Sequence, residues 1–332
     1  MGNAKVYSIL ILVMFVWGMN VTWLKVIVSN GEPLTMQTMR VFLAGITVFI
    51  ILKLMKQKLY VQGMPWKYIL IGCFFGVICH HGFLAYGIER TTAMKTAIIS
   101  GLSPLITAFI AVVFKDTIMT KTKAIGFALG GVGVLIAVVD DFTALFKLQL
   151  GDFFVFMSFF LQAFSFIAIR RATRVIQPML MTGWMLVLGS SVLLVFTTII
   201  YPTSFGSFLT LSPFVWTIFL LSAILATAIG HTLYNLCIKH IGAAESAIFT
   251  NFNTMFALFG AALFLNEIIT WQQLIGCFFI IAGVVIGTGN VDRGVFKRMI
   301  SWRFKGKKNE PTNLNAQEDI VIKELSKEAG SP

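Results

Sequence analysis

Charge is what this chain has least of. Only 12% of its 332 residues are Asp, Glu, Lys or Arg, against about 25% in an average soluble domain. That is too little to coat a water-soluble globule, and a mean hydropathy of +0.86 points the same way. Acids are scarcer than bases, 14 against 26, for a net charge of +12. Such an excess can mark a nucleic-acid binder. Here the Lys and Arg gather in short clusters between long apolar runs, as membrane insertion itself requires, so nucleic acid is rejected as a partner. Cysteine is scarce too. Cys73, Cys79, Cys237 and Cys277 all lie in apolar runs, with no CxxC pair and no histidine at ligand spacing. They read as small hydrophobes, and neither a metal nor another cofactor is expected. Walker A, HExxH and G-x-S-x-G sequences are absent, so neither ATP hydrolysis nor enzyme chemistry is expected.

Long apolar runs fill the space that charge leaves. A spanning helix needs roughly 20 mostly apolar residues. The chain offers runs at about 6–29, 33–54, 66–88, 94–114, 122–139, 152–170, 178–201, 213–238, 243–265 and 268–290. The expected fold is all-α and integral to the membrane, with ten transmembrane helices. Pro33 and Pro178 open two of them, which suits a first helical turn. The first run, preceded by Lys5, resembles a signal sequence, but it is long enough to span and no cleavage pattern follows; it is expected to stay as a helix.

Lys and Arg alternate in density from loop to loop. With the N-terminus inside, the inner segments hold Lys5, Lys53, Lys56, Lys58, Lys67, Lys115, Lys121, Lys123, Arg170, Arg171, Arg174, Lys239 and the bases of the tail. The outer loops hold only Arg90, Lys95 and Lys147. A cell-membrane, multi-pass protein with both termini cytoplasmic is expected. Residues 291–332 form a basic, polar tail whose stretch Lys297–Lys305 suits anionic headgroups; the rest of it is expected to be disordered.

The chain also resembles itself. Residues 81–136 lie over 231–286 without a gap: His81 meets His231, Ala97-Ile98 meets Ala247-Ile248, Ile125-Gly126 meets Ile275-Gly276, and Gly133-Val134 meets Gly283-Val284. Residues 1–140 and 152–290 are thus expected to be two five-helix repeats joined by an outer linker, 141–151. Five is odd, so the second copy enters the membrane from the opposite side. Inverted repeats of this kind are typical of secondary transporters, whose site lies near the midplane between the halves.

Several motifs add to this. Trp17-Gly18-Met19-Asn20 is followed by Lys25, and Arg40 follows Pro33. Phe264-Leu265-Asn266-Glu267 precedes Gly276 and Ala282-Gly283-Val284, with a weaker first-half version at Ser103-Pro104, Phe114-Lys115-Asp116, Gly126 and Gly131-Val132-Gly133. Together they resemble the EamA-type permeases of the drug/metabolite transporter superfamily. In the first half Thr117 stands where the family's turn glutamate is expected. The resemblance implies transport of a small solute, often outward, with substrates that range over amino acids, sugars, nucleotide-related metabolites and toxic compounds.

Polar groups at membrane depth are costly and usually face a bundle interior or a wet cavity. The candidates for substrate binding are Trp17, Asn20, His81, Tyr86, Ser100, Ser103, Gln162, His231, Tyr234, Asn251, Asn253 and Thr254. Interhelical hydrogen bonding is the competing role for each, and packing is the favoured role for either histidine. Asn251 and Asn253 lie about 200° apart on one helix and cannot face the same way. Pro104 is expected to kink its helix. His80 is expected to point away from His81, and His81 and His231 to lie toward opposite sides of the membrane. Lys25, Arg40, Lys95 and Glu245 are candidates for charged gating or coupling. Arg40 needs a partner or a wet cavity, since no acid in its own helix can serve.

The function expected is a secondary transporter that exports a small metabolite, such as an amino acid or related compound, by alternating access. A non-transporting sensor or assembly protein, and an importer of the same fold, stay open. The partners are a small solute and the lipid bilayer; a homodimer is compatible with both.

Overall fold

The computed structural model describes residues 3–114, 120–138, 149–243, 246 and 249–287. Most of the expected linker, the tail, Lys115-Asp116-Thr117 and Glu245 fall outside these residues. Among the described residues the structure is helical and contains no strand. The longer helices are α1 (Asn3–Val28), α2 (Pro33–Leu54), α3 (Trp66–Glu89), α4 (Ala93–Val113), α5 (Lys121–Val138), α6 (Leu150–Ala172), α7 (Pro178–Ile200), α8 (Pro213–Ile241), α9 (Thr250–Leu265) and α10 (Trp271–Gly287). A short helix, Ser204–Leu209, joins α7 to α8.

Among the described residues, seven helices, α1 to α4 and α6 to α8, are long and apolar enough to cross a membrane. The apolar stretches within α5, α9 and α10 run only 10–17 residues. Part of the expected ninth helix, 243–265, falls outside the described residues. Gly242, at φ +92°, ends α8, residues 243 and 246 are helical, and α9 is described from Thr250.

Local chemistry sets the helix starts. Pro33, Pro178 and Pro213 occupy first turns, where a missing N–H costs nothing. The Glu32 carboxylate accepts from the Leu34 and Thr35 amides, and the Ser212 and Thr92 hydroxyls cap α8 and α4.

Among the described residues, three helices are irregular near their middles. α4 is regular over Ala93–Ser100 and again over Ser103–Val113, with a break between them, because Pro104 has no N–H to give to the Ser100 carbonyl. α3 and α8 each contain a π-helical segment, Phe74–Cys79 and Leu221–Ile229. In each, the amide just past the segment reaches back five residues, His80 to the Phe75 carbonyl and Gly230 to the Leu225 carbonyl. Both segments therefore end two residues before the self-matching pair His81 and His231.

The side chains sort as lipid requires rather than as water does. Large apolar groups face outward, with Val195 60%, Ile199 72% and Phe278 69% exposed. Polar groups face inward, including Gln37, Arg40, His80, His81, Ser158, Ser190 and Asn235, all buried.

α5 and α10 cross at close range. A Cβ on Gly133 would lie 2.7 Å from the Gly276 carbonyl oxygen, and one on Gly283 would lie 2.7 Å from the Gly126 carbonyl oxygen. Contact indices that rise on one helix fall on the other, so the helices run antiparallel. The self-match of the chain exchanges the two contacts.

Candidate functional site

A cavity of about 90 Å³ opens at the level of these irregularities. α1 contributes Trp17, Asn20, Val21 and Leu24 to its wall; α2 contributes Arg40; α3 contributes His80, His81, Leu84 and Ile88. α4 supplies Thr96, Ser100 and Ser103, and α6 supplies Phe159, Gln162 and Phe166. From α8 come Ala226, Thr227 and His231, and from α9 Thr250 and Asn253. Helices from both halves of the chain thus share one chamber.

Trp17 is held by the π-segment of α8. Its Nε1–H donates to the Ala226 carbonyl at 2.8 Å, and its ring lies 5.0 Å from the His231 ring and 4.9 Å from Tyr234. A π-turn leaves a carbonyl without its regular helical partner, and the indole satisfies it. The approach needs Gly230, where a Cβ would sit 2.7 Å from Trp17 Nε1.

Arg40 is the centre of a polar relay. It is 1% exposed, and no carboxylate pairs with it among the described residues. Its Nε–H donates to Gln37 Oε1 at 3.1 Å. Nη1 donates to Ser222 Oγ at 3.3 Å and to Thr227 Oγ1. Ser222 Oγ in turn donates to Asn20 Oδ1 at 2.5 Å, and Thr227 Oγ1 donates to the Ser222 carbonyl at 2.9 Å. The π-segment of α8 therefore grips the guanidinium from the other half of the chain.

Gln37 carries the relay to α3, its amide nitrogen lying 3.0 Å from His81 Nδ1. Arg40 Nε can only donate, so Gln37 must turn its oxygen to Arg40 and its NH₂ to His81. Nδ1 is then an acceptor, and neutral His81 carries its proton on Nε2. That Nε2 has no hydrogen-bond partner among the described residues. A guanidinium at mid-bilayer costs about 2.5 to 3.5 kcal/mol on insertion scales, and neutral hydrogen bonds offset only part of that.

The expected binding residues divide in two. Trp17, Asn20, His81, Ser100, Ser103, Gln162, His231 and Asn253 line the cavity, and so does Arg40. Tyr86 does not; its hydroxyl donates to the Tyr201 hydroxyl at 3.1 Å, drawn outward near the end of α3. Tyr234 is fully buried behind Trp17 and Phe166. Thr254 bonds the Ala97 carbonyl at 3.1 Å, which ties α9 to the end of the first segment of α4. Lys25 donates to the carbonyls of Ile88, Glu89 and Thr91, at 2.7, 3.1 and 2.7 Å. It binds the C-terminal carbonyls of α3 and the Thr91 carbonyl just past them rather than a solute. Lys95 is buried at the start of α4 and is not in the cavity wall. The side chains of Asn251 and Glu245 lie outside the described residues.

The two histidine expectations are corrected. His80 does not point away: it lines the cavity beside His81, with Nδ1 2.7 Å from Ser158 Oγ. Successive residues differ by only 100° on a helix, so one cavity can take both. His81 and His231 do not separate toward opposite sides either. Their ring centroids are 6.4 Å apart, because each follows a π-segment at mid-span. Gln37, Ser222 and Thr227 were missed. Gln37 had a signal, since it precedes Arg40 by one helical turn on the same face. Across the chamber, Asn253 Nδ2 donates to Ser100 Oγ at 3.2 Å. Glu267, between α9 and α10, accepts from the Ala93 and Met94 amides at 3.0 and 2.9 Å, capping α4 from the other half.

A model of the EamA-like transporter family matches residues 4–139 and again 149–288. The uncharacterised transporter YoaV of Bacillus subtilis (strain 168) is 24% identical over 291 residues, 87% of this chain and 98% of that protein. YyaM of the same organism, also an uncharacterised transporter, is 24% identical over 295 residues, 87% of this chain and 95% of its own. A chloroplastic WAT1-related protein of Arabidopsis thaliana is 25% identical over 281 residues, 83% of this chain and 67% of that one. A solved crystal structure superposes with a TM-score of 0.65 at 12% identity, covering 88% of this chain and 99% of its own, a likeness of fold alone. The chain is a multi-pass membrane protein built on two successive EamA repeats, and it belongs to the EamA-like transporter family.

Proposed function

We propose that this protein is a secondary transporter that exports a small metabolite by alternating access, with ten spanning helices arranged as two inverted five-helix repeats, 1–140 and 152–290. The observation that carries this reading is the shared chamber: Trp17, Arg40 and His81 from the first half and Gln162, His231 and Asn253 from the second line one cavity. A sensor or assembly factor has no use for buried polar groups that converge on a cavity, which cost stability at membrane depth.

The crossing of α5 with α10 supports the inversion. Antiparallel helices whose contacts are exchanged by the internal repeat are what a two-fold axis in the membrane plane produces. Rocking about such an axis exposes the chamber to each side in turn. The charge distribution of the loops supports cytoplasmic termini, and the outward direction rests on the family resemblance. Proteoliposomes loaded with a mixed metabolite extract test the proposal. Time-dependent loss of particular solutes, absent from empty liposomes, is expected. No solute movement under a concentration gradient, a proton gradient or counter-exchange would overturn it.

A further inference from the structure

The cavity offers one charge and no counter-charge. Among the described residues that line it, none is Asp or Glu, and Arg40 is the one permanently charged group. Of the five N–H donors of its guanidinium, Nε uses one on Gln37 and Nη1 uses two on Ser222 and Thr227. The two that remain are both on Nη2. His81 adds the unpartnered Nε2–H that the Gln37 relay fixes in place. The rest of the wall sets apolar and aromatic groups, Trp17, Val21, Leu24, Leu84, Phe159 and Phe166, beside uncharged polar ones such as Asn20, Ser100, Gln162 and Asn253.

We infer that the solute is a monoanionic organic acid with an apolar or aromatic body, its carboxylate held by Arg40 and His81. The inference deepens the transport reading and rests on it. A carboxylate accepts charge-assisted hydrogen bonds from a guanidinium, and one negative charge makes the loaded chamber neutral. A phosphate dianion would leave an excess charge at membrane depth. A zwitterion would bring an ammonium to a wall that offers it only neutral acceptors, such as the unpartnered Asn253 Oδ1, so the free acid is favoured over its amino-acid counterpart.

Isothermal titration of the purified full chain, with phenylacetate, its neutral isostere phenylacetamide and its α-amino counterpart L-phenylglycine as probes, tests this. Phenylacetate is expected to bind about tenfold or more tightly than either of the others. Arg40→Gln removes that preference while amide binding persists, and Arg40→Lys keeps part of it. Gln37→Glu sets a carboxylate against Arg40 Nε from within and is also expected to abolish the preference. Equal binding of acid and amide, no binding of the acid at millimolar concentration, or a preference unchanged in Arg40→Gln would each overturn the inference. The comparison of acid with amide on the unsubstituted protein needs no variant to fold. Counterflow of labelled phenylacetate in proteoliposomes is the separate arm. Acid binding without flux would overturn the transport reading and leave the site. Flux of solutes without acid preference would leave transport and overturn the site.

Discussion

Trp17 and Glu267 show how single side chains join the two halves. Trp17 reaches from α1 to the Ala226 carbonyl in the π-segment of α8, and Glu267 reaches from the α9–α10 junction to the first amides of α4. Trp17→Phe keeps the ring and deletes the donor, leaving a buried carbonyl unpaired. A loss of about 1 to 3 kcal/mol is expected, read as a lower melting temperature in detergent. Glu267→Ala removes both a cap and a charge that the helix dipole favours. It is expected to cost about 1 kcal/mol in the same assay, with the ligand preference of the cavity unchanged. The sequence made the polar residues at depth visible, because each stands out against an apolar run. It could not show which of them meet. Tyr86 and Tyr234 look as available as Trp17 when read along the chain, yet one is engaged with Tyr201 and the other is sealed behind Trp17.

Helices α3, α4 and α8 carry the irregular backbone. Composition revealed the seven long apolar helices, since an apolar run of sufficient length is a helix in lipid, and Pro104 announced the break in α4. The π-segments gave no warning: a shift from four-residue to five-residue hydrogen bonding has no residue signature, and Phe74–Cys79 and Leu221–Ile229 share little beyond apolarity. That is why the meeting of His81 with His231 was not legible. α5 and α10 depend instead on the absence of side chains at their crossing. Gly283→Leu would drive a side chain into the Gly126 carbonyl and the Gly130 amide, both 2.7 Å from a built Cβ. A loss of about 1 to 3 kcal/mol or more is expected from overpacking, seen as poor recovery of folded protein by size-exclusion chromatography. Gly82→Ala, where a Cβ meets nothing within 4 Å, serves as the neutral control.

At the scale of the molecule, the repeat was legible because His81, Gly126 and Gly133 recur as His231, Gly276 and Gly283 in one unbroken register. Alternating access predicts that the chamber opens to each side in turn. With the native cysteines replaced, Ser100→Cys and Asn253→Cys should react with a membrane-impermeant thiol reagent, and phenylacetate should slow both reactions. Labelling at neither position from either side of the membrane would show that water never reaches the chamber.

Arg40 also has an electrical meaning. On the monoanion reading, the guanidinium stays in the protein while the acid crosses, so each turnover moves one negative charge through the membrane field. A potential of 100 mV, negative inside, does about 2.3 kcal/mol of work on that charge, a factor of about fifty in the concentration ratio it can sustain. The field pushes an anion outward, so export of the acid would draw its energy from the resting voltage, without protons or ATP. Efflux of phenylacetate from proteoliposomes should therefore quicken when valinomycin and an outward potassium gradient make the interior negative. It should slow again when potassium is equalised.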